Sequence, residues 1–191
     1  MNNHAAIGVL LILTACHQAD RSAASDQVFL TSNSLAGIHL CEPMGRVNAL
    51  FPNAQDSLVV GEDGEAGWAT KVVALGPAEH VWFERSWTDT VHVWRISTNS
   101  PRFRTGSGLH VGTLIADVIA AGDSMVFHYP EGILFITLVR DSVGFQVDDS
   151  SAAAFWRKFA YKGDPLAVLD RAARISSLSI GGDCRARKAA A

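Results

Sequence analysis

The sequence predicts an α+β fold of two tandem helix-plus-antiparallel-strand units sharing one core, and three observations carry the prediction. First, Gly37-Ile38-His39-Leu40 and Gly108-Leu109-His110-Val111 repeat one pattern of glycine, aliphatic, histidine, aliphatic, 71 residues apart. Second, a short helical pattern and then strand patterns follow each copy, as a duplicated supersecondary unit requires. Third, the strands come in runs with the helices segregated from them, which does not fit a doubly wound parallel sheet. Apolar residues make up 48% of the 191 and charged residues 18%, below the ~25% of an average domain, so the chain can bury a core. Its formal net charge of −3 argues against a nucleic-acid binder, which normally shows a basic stripe or a strongly positive domain.

The chain opens with an apolar run, Ala5 to Leu13, that leads into Leu13-Thr14-Ala15-Cys16. A membrane span needs ~20 apolar residues, whereas this run has the length of a signal-peptide core. The Leu-Thr-Ala-Cys string resembles the lipobox of bacterial lipoproteins. That resemblance implies that residues 1–15 are removed and that Cys16 becomes the lipidated first residue. His17 rather than an aspartate after it implies the outer membrane. Met1-Asn2-Asn3-His4 lacks the positive charge such a signal normally carries. An ordinary signal cut after Ser22-Ala23-Ala24 and a buried N-terminal strand are the other readings. Residues 16–27 read as a flexible tether, being small and polar from Ala19 onward. Residues 28–184 are the folded part, with unit one at about 36–100 and unit two at about 106–184. Residues 185–191, with Arg185, Arg187 and Lys188, read as a frayed basic tail, with weak attraction to anionic lipid as a second reading.

Each element has its own warrant. After the first repeat, Pro43 suits a helix start, Met44, Val47, Leu50 and Phe51 recur at helical spacing, and Pro52 stops the run. After the second, Leu114, Ile115, Val118 and Ile119 form one face and Gly122 fits a helix stop. Neither helix is long enough to stand alone in water, so each must lie on a sheet. Strand patterns cover 57–60 and 68–75, then 81–85 and 91–96 around a hairpin turn at 86–90, then 125–129, 133–139 and 143–147. Pro130-Glu131-Gly132 and Arg140-Asp141-Ser142 are turn signals between the last three, which predicts an antiparallel meander. A helix over 151–161 follows, with Phe155 and Phe159 on one face. Asp164-Pro165 then opens a short helix, and 175–180 is the last strand.

Each chemistry-bearing residue has a plain structural reading beside its functional one. The sequence holds no Gly-x-Ser-x-Gly elbow, His-Glu-x-x-His pair, phosphate-cradling glycine loop with lysine, or Cys-x-x-Cys, so no catalytic residue and no metal site is assigned. His39 and His110 hold the same place in the two repeats and read as repeat geometry. Asp148-Asp149 fits either an acid/base or Ca²⁺ role, or a polar turn before a helix, where acidic residues are favourable. Arg102 and Arg104 flank Phe103 and fit either an anion clamp or a polar connecting loop. Four of the five tryptophans, Trp68, Trp82, Trp87 and Trp94, lie within residues 68–94. A hairpin pairing residues of like parity places His80, Trp82 and Glu84 on one face with His92, Trp94 and Ile96, and Val81, Phe83, Val91 and Val93 on the other. That Trp/His face is either packed between the units or open to a partner, tryptophan being enriched at interaction hot spots. The partner-binding candidates are therefore Trp82, Trp94, His92, Arg102 and Arg104. If Cys16 carries lipid, Cys41 and Cys184 remain as an even pair in an oxidising compartment and are expected to form a disulfide. The other reading is a buried thiol and an unconnected one on the tail.

A repeated unit of Gly-aliphatic-x-aliphatic, short helix and antiparallel strands resembles the tandem α/β lipoproteins and periplasmic inhibitors related to BamE and to the β-lactamase inhibitor protein, over roughly Ala36 to Cys184. One fold hosts many activities, so the resemblance concerns architecture. The functional expectation is a bacterial envelope lipoprotein that faces the periplasm and acts as a non-enzymatic protein-binding module in assembly, stabilisation or inhibition. Its expected partners are the membrane, through the lipid, and an envelope protein, with no cofactor and no nucleic acid. The alternative is a small-molecule or lipid binder using an apolar cleft between the units. A hydrolase is the weakest reading, since no nucleophile–base pair is present.

Overall fold

The computed structural model describes residues 28–59, 68–86, 88–128, 133–159, 164–182 and 184. The segment 1–15, Cys16, the tether 16–27, Trp87 and the tail 185–191 lie outside the described residues. In chain order the elements are β1 (Val28–Phe29), β2 (Ser34–Leu35), β3 (Ile38–His39), α1 (Met44–Leu50), β4 (Gln55–Val59), β5 (Trp68–Ala74), β6 (His80–Glu84) and β7 (Arg95–Thr98). There follow β8 (Phe103–Arg104), α2 (Ile115–Ala120), β9 (Met125–His128), β10 (Phe135–Leu138), β11 (Val143–Val147), α3 (Asp149–Phe159), α4 (Pro165–Val168) and β12 (Ile175–Gly181).

The expected α+β class is corrected: the protein is mostly β, with 38% strand against 18% helix. Eight strands form one antiparallel sheet in the order β4-β5-β6-β7-β12-β11-β10-β9, with two-stranded pairs β1-β8 and β2-β3 beside it. Local chemistry keeps the helices small. Pro43 and Pro52 confine α1 to seven residues, and Gly122, at φ +70°, closes the six-residue α2. Gly37 and Gly108, the repeated glycines, both sit at positive φ, +78° and +87°, where a side chain would be strained.

Strand order explains where the core lies. The first four strands and the last four run outward from a seam, β7–β12, paired as Arg95↔Gly181, Ile96↔Ile180, Ser97↔Ser179 and Thr98↔Leu178. This ladder occupies the place where a cleft between units was expected. Strand side chains alternate between faces. One set, including Val81, Phe83, Ile96, Ile136, Leu138, Phe145, Leu178 and Ile180, joins Met44 and Val47 of α1, Ile115 and Val118 of α2 and Phe155 of α3 in one buried cluster. Phe51, just past α1, stacks on Phe83 at 5.8 Å between ring centroids. A fully buried aliphatic or phenylalanine side chain contributes ~1.5–3 kcal/mol, so these lids hold the short helices in place. No strand residue of the opposite face belongs to the cluster.

Cys41 and Cys184 form a disulfide, their Cα atoms 5.3 Å apart across 143 residues. Around it the chain from 41 to 44 lies against 91–93, with Cys41 N–H donating to the Val93 carbonyl, Val93 N–H to Glu42 and Met44 N–H to Val91, each at 2.8 Å. That excursion corrects the expected hairpin. Residues 91–93 pair with 41–44 rather than with β6, so β7 begins only at Arg95, and the register is Trp82↔Ser97 and Phe83↔Ile96. Trp82 and Trp94 are therefore not cross-strand neighbours, and Ile96 lies on the core face with Phe83. A change of one residue in register exchanges the faces of an entire strand.

Candidate functional site

The face opposite the helices is built by the alternate residues of the same strands. Trp82 and His80 of β6 lie on it with rings 5.5 Å apart, and Val72 of β5 pairs with Trp82. Ser97 of β7, Ser179 and Ser177 of β12, Gln146 of β11, Phe135 and Thr137 of β10, and the exposed Val126 and His128 of β9 continue it across the sheet. Eight strands at ~4.8 Å spacing and roughly five residues in length give a face of about 34 by 17 Å. That is about 580 Å², somewhat under three quarters of the ~800 Å² that each partner contributes to a standard protein interface.

An ion pair occupies the middle of this face. Glu84 and Arg95 are opposite residues of β6 and β7. Arg95 donates from Nε to Glu84 Oε2 at 2.9 Å and from Nη2 to the same oxygen, while the Ser97 hydroxyl donates to Oε1 at 3.3 Å. The Glu84 side chain is 5% exposed and that of Arg95 33%. The guanidinium also lies over the Trp94 ring, 5.1 Å from its centroid, which fixes its orientation. Trp94 thus supports the face through Arg95 rather than standing beside Trp82.

The same face carries a notch of about 200 Å³, bordered by Arg95, Phe135, Thr137 and Ser179, where Gly144 and Gly181 present no side chain. A Cβ at Gly144 would overlap the Phe135 ring, so the ring covers the backbone there. Sequence reasoning missed Glu84–Arg95 as a pair, along with Phe135, Ser179 and both glycines. The available signal was Gly144 inside the 143–147 strand pattern, since a glycine there marks a close approach to the backbone.

The other candidates have structural partners. His92 Nδ1 lies 2.9 Å from both oxygens of Asp89, whose carboxylate also accepts from the N–H groups of Val91 and His92. The hydrogen bond from the His92 ring, with the two backbone donors, holds the Asp89 carboxyl below its ordinary range. Arg102 is paired with Glu79 at 2.9 Å, and Glu79 also accepts from Ser100. Arg104 pairs through its backbone with Phe29 and reaches the Gly108 carbonyl at 3.5 Å, so the structure does not bring Arg102 and Arg104 together as a clamp. Asp148 accepts from the Ser150 hydroxyl and the Ser151 N–H at the start of α3, and these bonds hold its carboxyl low. His39 is exposed, and His110 Nδ1 lies 2.7 Å from the Val111 carbonyl. Among the described residues no group of three or more His, Cys, Asp or Glu is placed to hold a metal ion, and no helix is long and apolar enough to cross a membrane.

Among the described residues, fold and site define an eight-stranded antiparallel sheet with the short helices and the apolar cluster on one face and a mixed aromatic and polar face opposite, on which Thr70, Glu84 and Ser179 are themselves buried. No family model and no curated protein matches the sequence. Among solved structures, the chain is similar to the uncharacterized protein yfeY from Escherichia coli, at 10% identity and a TM-score of 0.49, over 81% of this chain and 99% of that one.

Proposed function

We propose that this chain is a non-enzymatic protein-binding module of the bacterial envelope, which meets its partner with the open face of the sheet and is held to the outer membrane through lipid on Cys16. One observation carries the binding reading: among the described residues all sheet residues of the buried cluster lie on one side, and the other side carries aromatic rings at Trp82 and Phe135 with Arg95 held between them by Glu84 and Trp94. Two titratable groups singled out in the sequence make structural hydrogen bonds, His92 with Asp89 and Asp148 with the start of α3. Support for the anchor is the Leu13-Thr14-Ala15-Cys16 string after its apolar run. A single acyl chain holds a protein to a membrane only marginally, so the several chains of a bacterial lipoprotein are needed.

Fractionation and capture test the two halves separately. Cys16→Ser is expected to leave an uncut precursor or a soluble protein, and a processed variant that still floats with membranes contradicts the anchor. Trp82→Arg is expected to abolish recovery of a crosslinked envelope protein while the fold persists, and unchanged recovery contradicts the binding surface.

A further inference from the structure

We propose that the notch across β7, β12, β11 and β10 is an anchor pocket for one tyrosine side chain of the partner that docks on the open face. The proposal rests on the reading of that face as the binding surface and adds the chemistry of what enters it.

The notch lies beside glycines of two adjacent strands that are two residues out of step, Gly144 of β11 opposite Ser179 and Gly181 of β12 opposite Arg95. Gly144 is explained by the Phe135 ring lying over it. Gly181 is not explained that way. It pairs with Arg95 in regular register, and a Cβ there would meet nothing closer than the Trp94 carbonyl oxygen at 3.7 Å, an ordinary contact. Neither crowding nor a positive φ demands glycine at 181. Gly181 is the exposed last residue of β12, and its missing side chain leaves the Arg95 flank of the notch open to a group from outside.

Size, charge and hydrogen bonding restrict the occupant. About 200 Å³ is below the ~300–1,000 Å³ of small-molecule sites and suits one large side chain. The Arg95 charge is already balanced by Glu84, so a second carboxylate would sit beside an existing one and a cation would face the guanidinium. The occupant is therefore neutral. The lining of the notch combines Phe135 and Arg95, against which a flat aromatic group can lie, with the hydroxyl-bearing Thr137, Ser142 and Ser179. The Ser179 and Thr137 hydroxyls border the pocket and have no hydrogen-bond partner among the described residues, although Ser179 is only 7% exposed. A phenol satisfies both requirements, an aromatic body and a polar tip that can donate and accept.

The test titrates the full chain with 4-methylphenol, toluene, propionate and methylguanidinium while backbone amides are followed by NMR. The expected result is saturable movement of the Gly144, Ser179 and Gly181 amides with 4-methylphenol, at roughly millimolar concentration for so small a probe. Gly181→Leu, which fills the notch without a backbone clash, should abolish this. Thr137→Val and Ser179→Ala should each weaken 4-methylphenol by about fivefold and leave toluene unchanged. Tighter binding of propionate or methylguanidinium, or undiminished 4-methylphenol binding to Gly181→Leu, overturns the proposal. If the open face captures a partner but 4-methylphenol does not bind, the pocket assignment fails alone. If 4-methylphenol binds and no partner is captured, the docking reading fails and the tyrosine of a protein partner fails with it.

Discussion

The Val93 carbonyl sits between Cys41 and Cys184, accepting the Cys41 N–H at 2.8 Å and lying 3.8 Å from the Cys184 sulfur. The disulfide therefore closes three stretches of chain onto one another: the approach to α1, the segment before β7, and the end of β12. In the entropic model a loop of 143 residues is worth on the order of 4–5 kcal/mol. Replacing both cysteines by serine should lower the unfolding free energy by about 2–5 kcal/mol, read from urea melts against the oxidised protein. Thiol labelling of the denatured, unreduced protein should find Cys41 and Cys184 blocked.

Among the described residues Arg95 is the one charged partner of the Glu84 carboxylate, whose side chain is 5% exposed. Arg95→Met should therefore cost about 2–4 kcal/mol, because it leaves Glu84 buried without its counter-charge. Glu84→Gln combined with Arg95→Met should cost less than the two single changes added together. A double-mutant cycle should return a coupling above about 1 kcal/mol, and strict additivity would show that the pair contributes nothing.

Trp82 and Phe83 are adjacent residues on opposite faces, so they respond differently to truncation. Phe83→Ala should cost about 3–5 kcal/mol, since the ring lies in the buried cluster under Phe51. Trp82→Ala should cost about 1 kcal/mol, since that ring is half-buried on the open face. Comparable losses from the two would contradict the register.

Much of this architecture could be read from local pattern. The β-branched and aromatic runs at 68–74 and 80–84 and the turn-forming residue types at 130–132 and 140–142 mark strands because strand propensity and turn chemistry are local properties. The Cys41–Cys184 pair followed from cysteine parity and compartment. What failed was non-local. Nothing near Val91–Val93 indicates that this segment pairs with 41–44, and without that knowledge β7 starts too early and the tryptophans appear on one face. The weight of sheet over helix also depended on β7 pairing with β12, whose strands are separated by most of the second half of the chain. The site was legible in part: Trp82 was singled out, whereas Glu84, Arg95, Phe135 and the two glycines converge only once the seam is known.

Asp89 links the 85–94 connection to acidity. Its carboxyl is held below the ordinary value of 3.8 by the His92 ring and two backbone donors. A depressed folded-state pKa contributes stability that is present above the unfolded-state value and is lost as pH falls through the folded one. Asp89→Ala should therefore destabilise by about 1 kcal/mol at neutral pH. Thermal melts should show the gap to the parent protein closing as pH falls below about 4, and a gap that persists in acid would assign the effect to something other than the ionised carboxylate.

The most direct test of the open face as the binding surface is site-specific photocrosslinking in intact cells. One photoreactive residue at a time would replace Trp82 or Gln146 on the open face, or the exposed Arg46 and Asp117 on the helix side. The account predicts a discrete protein adduct from Trp82 and Gln146 and none from Arg46 and Asp117. Adducts formed equally from the helix side, or none from the open face, would contradict it.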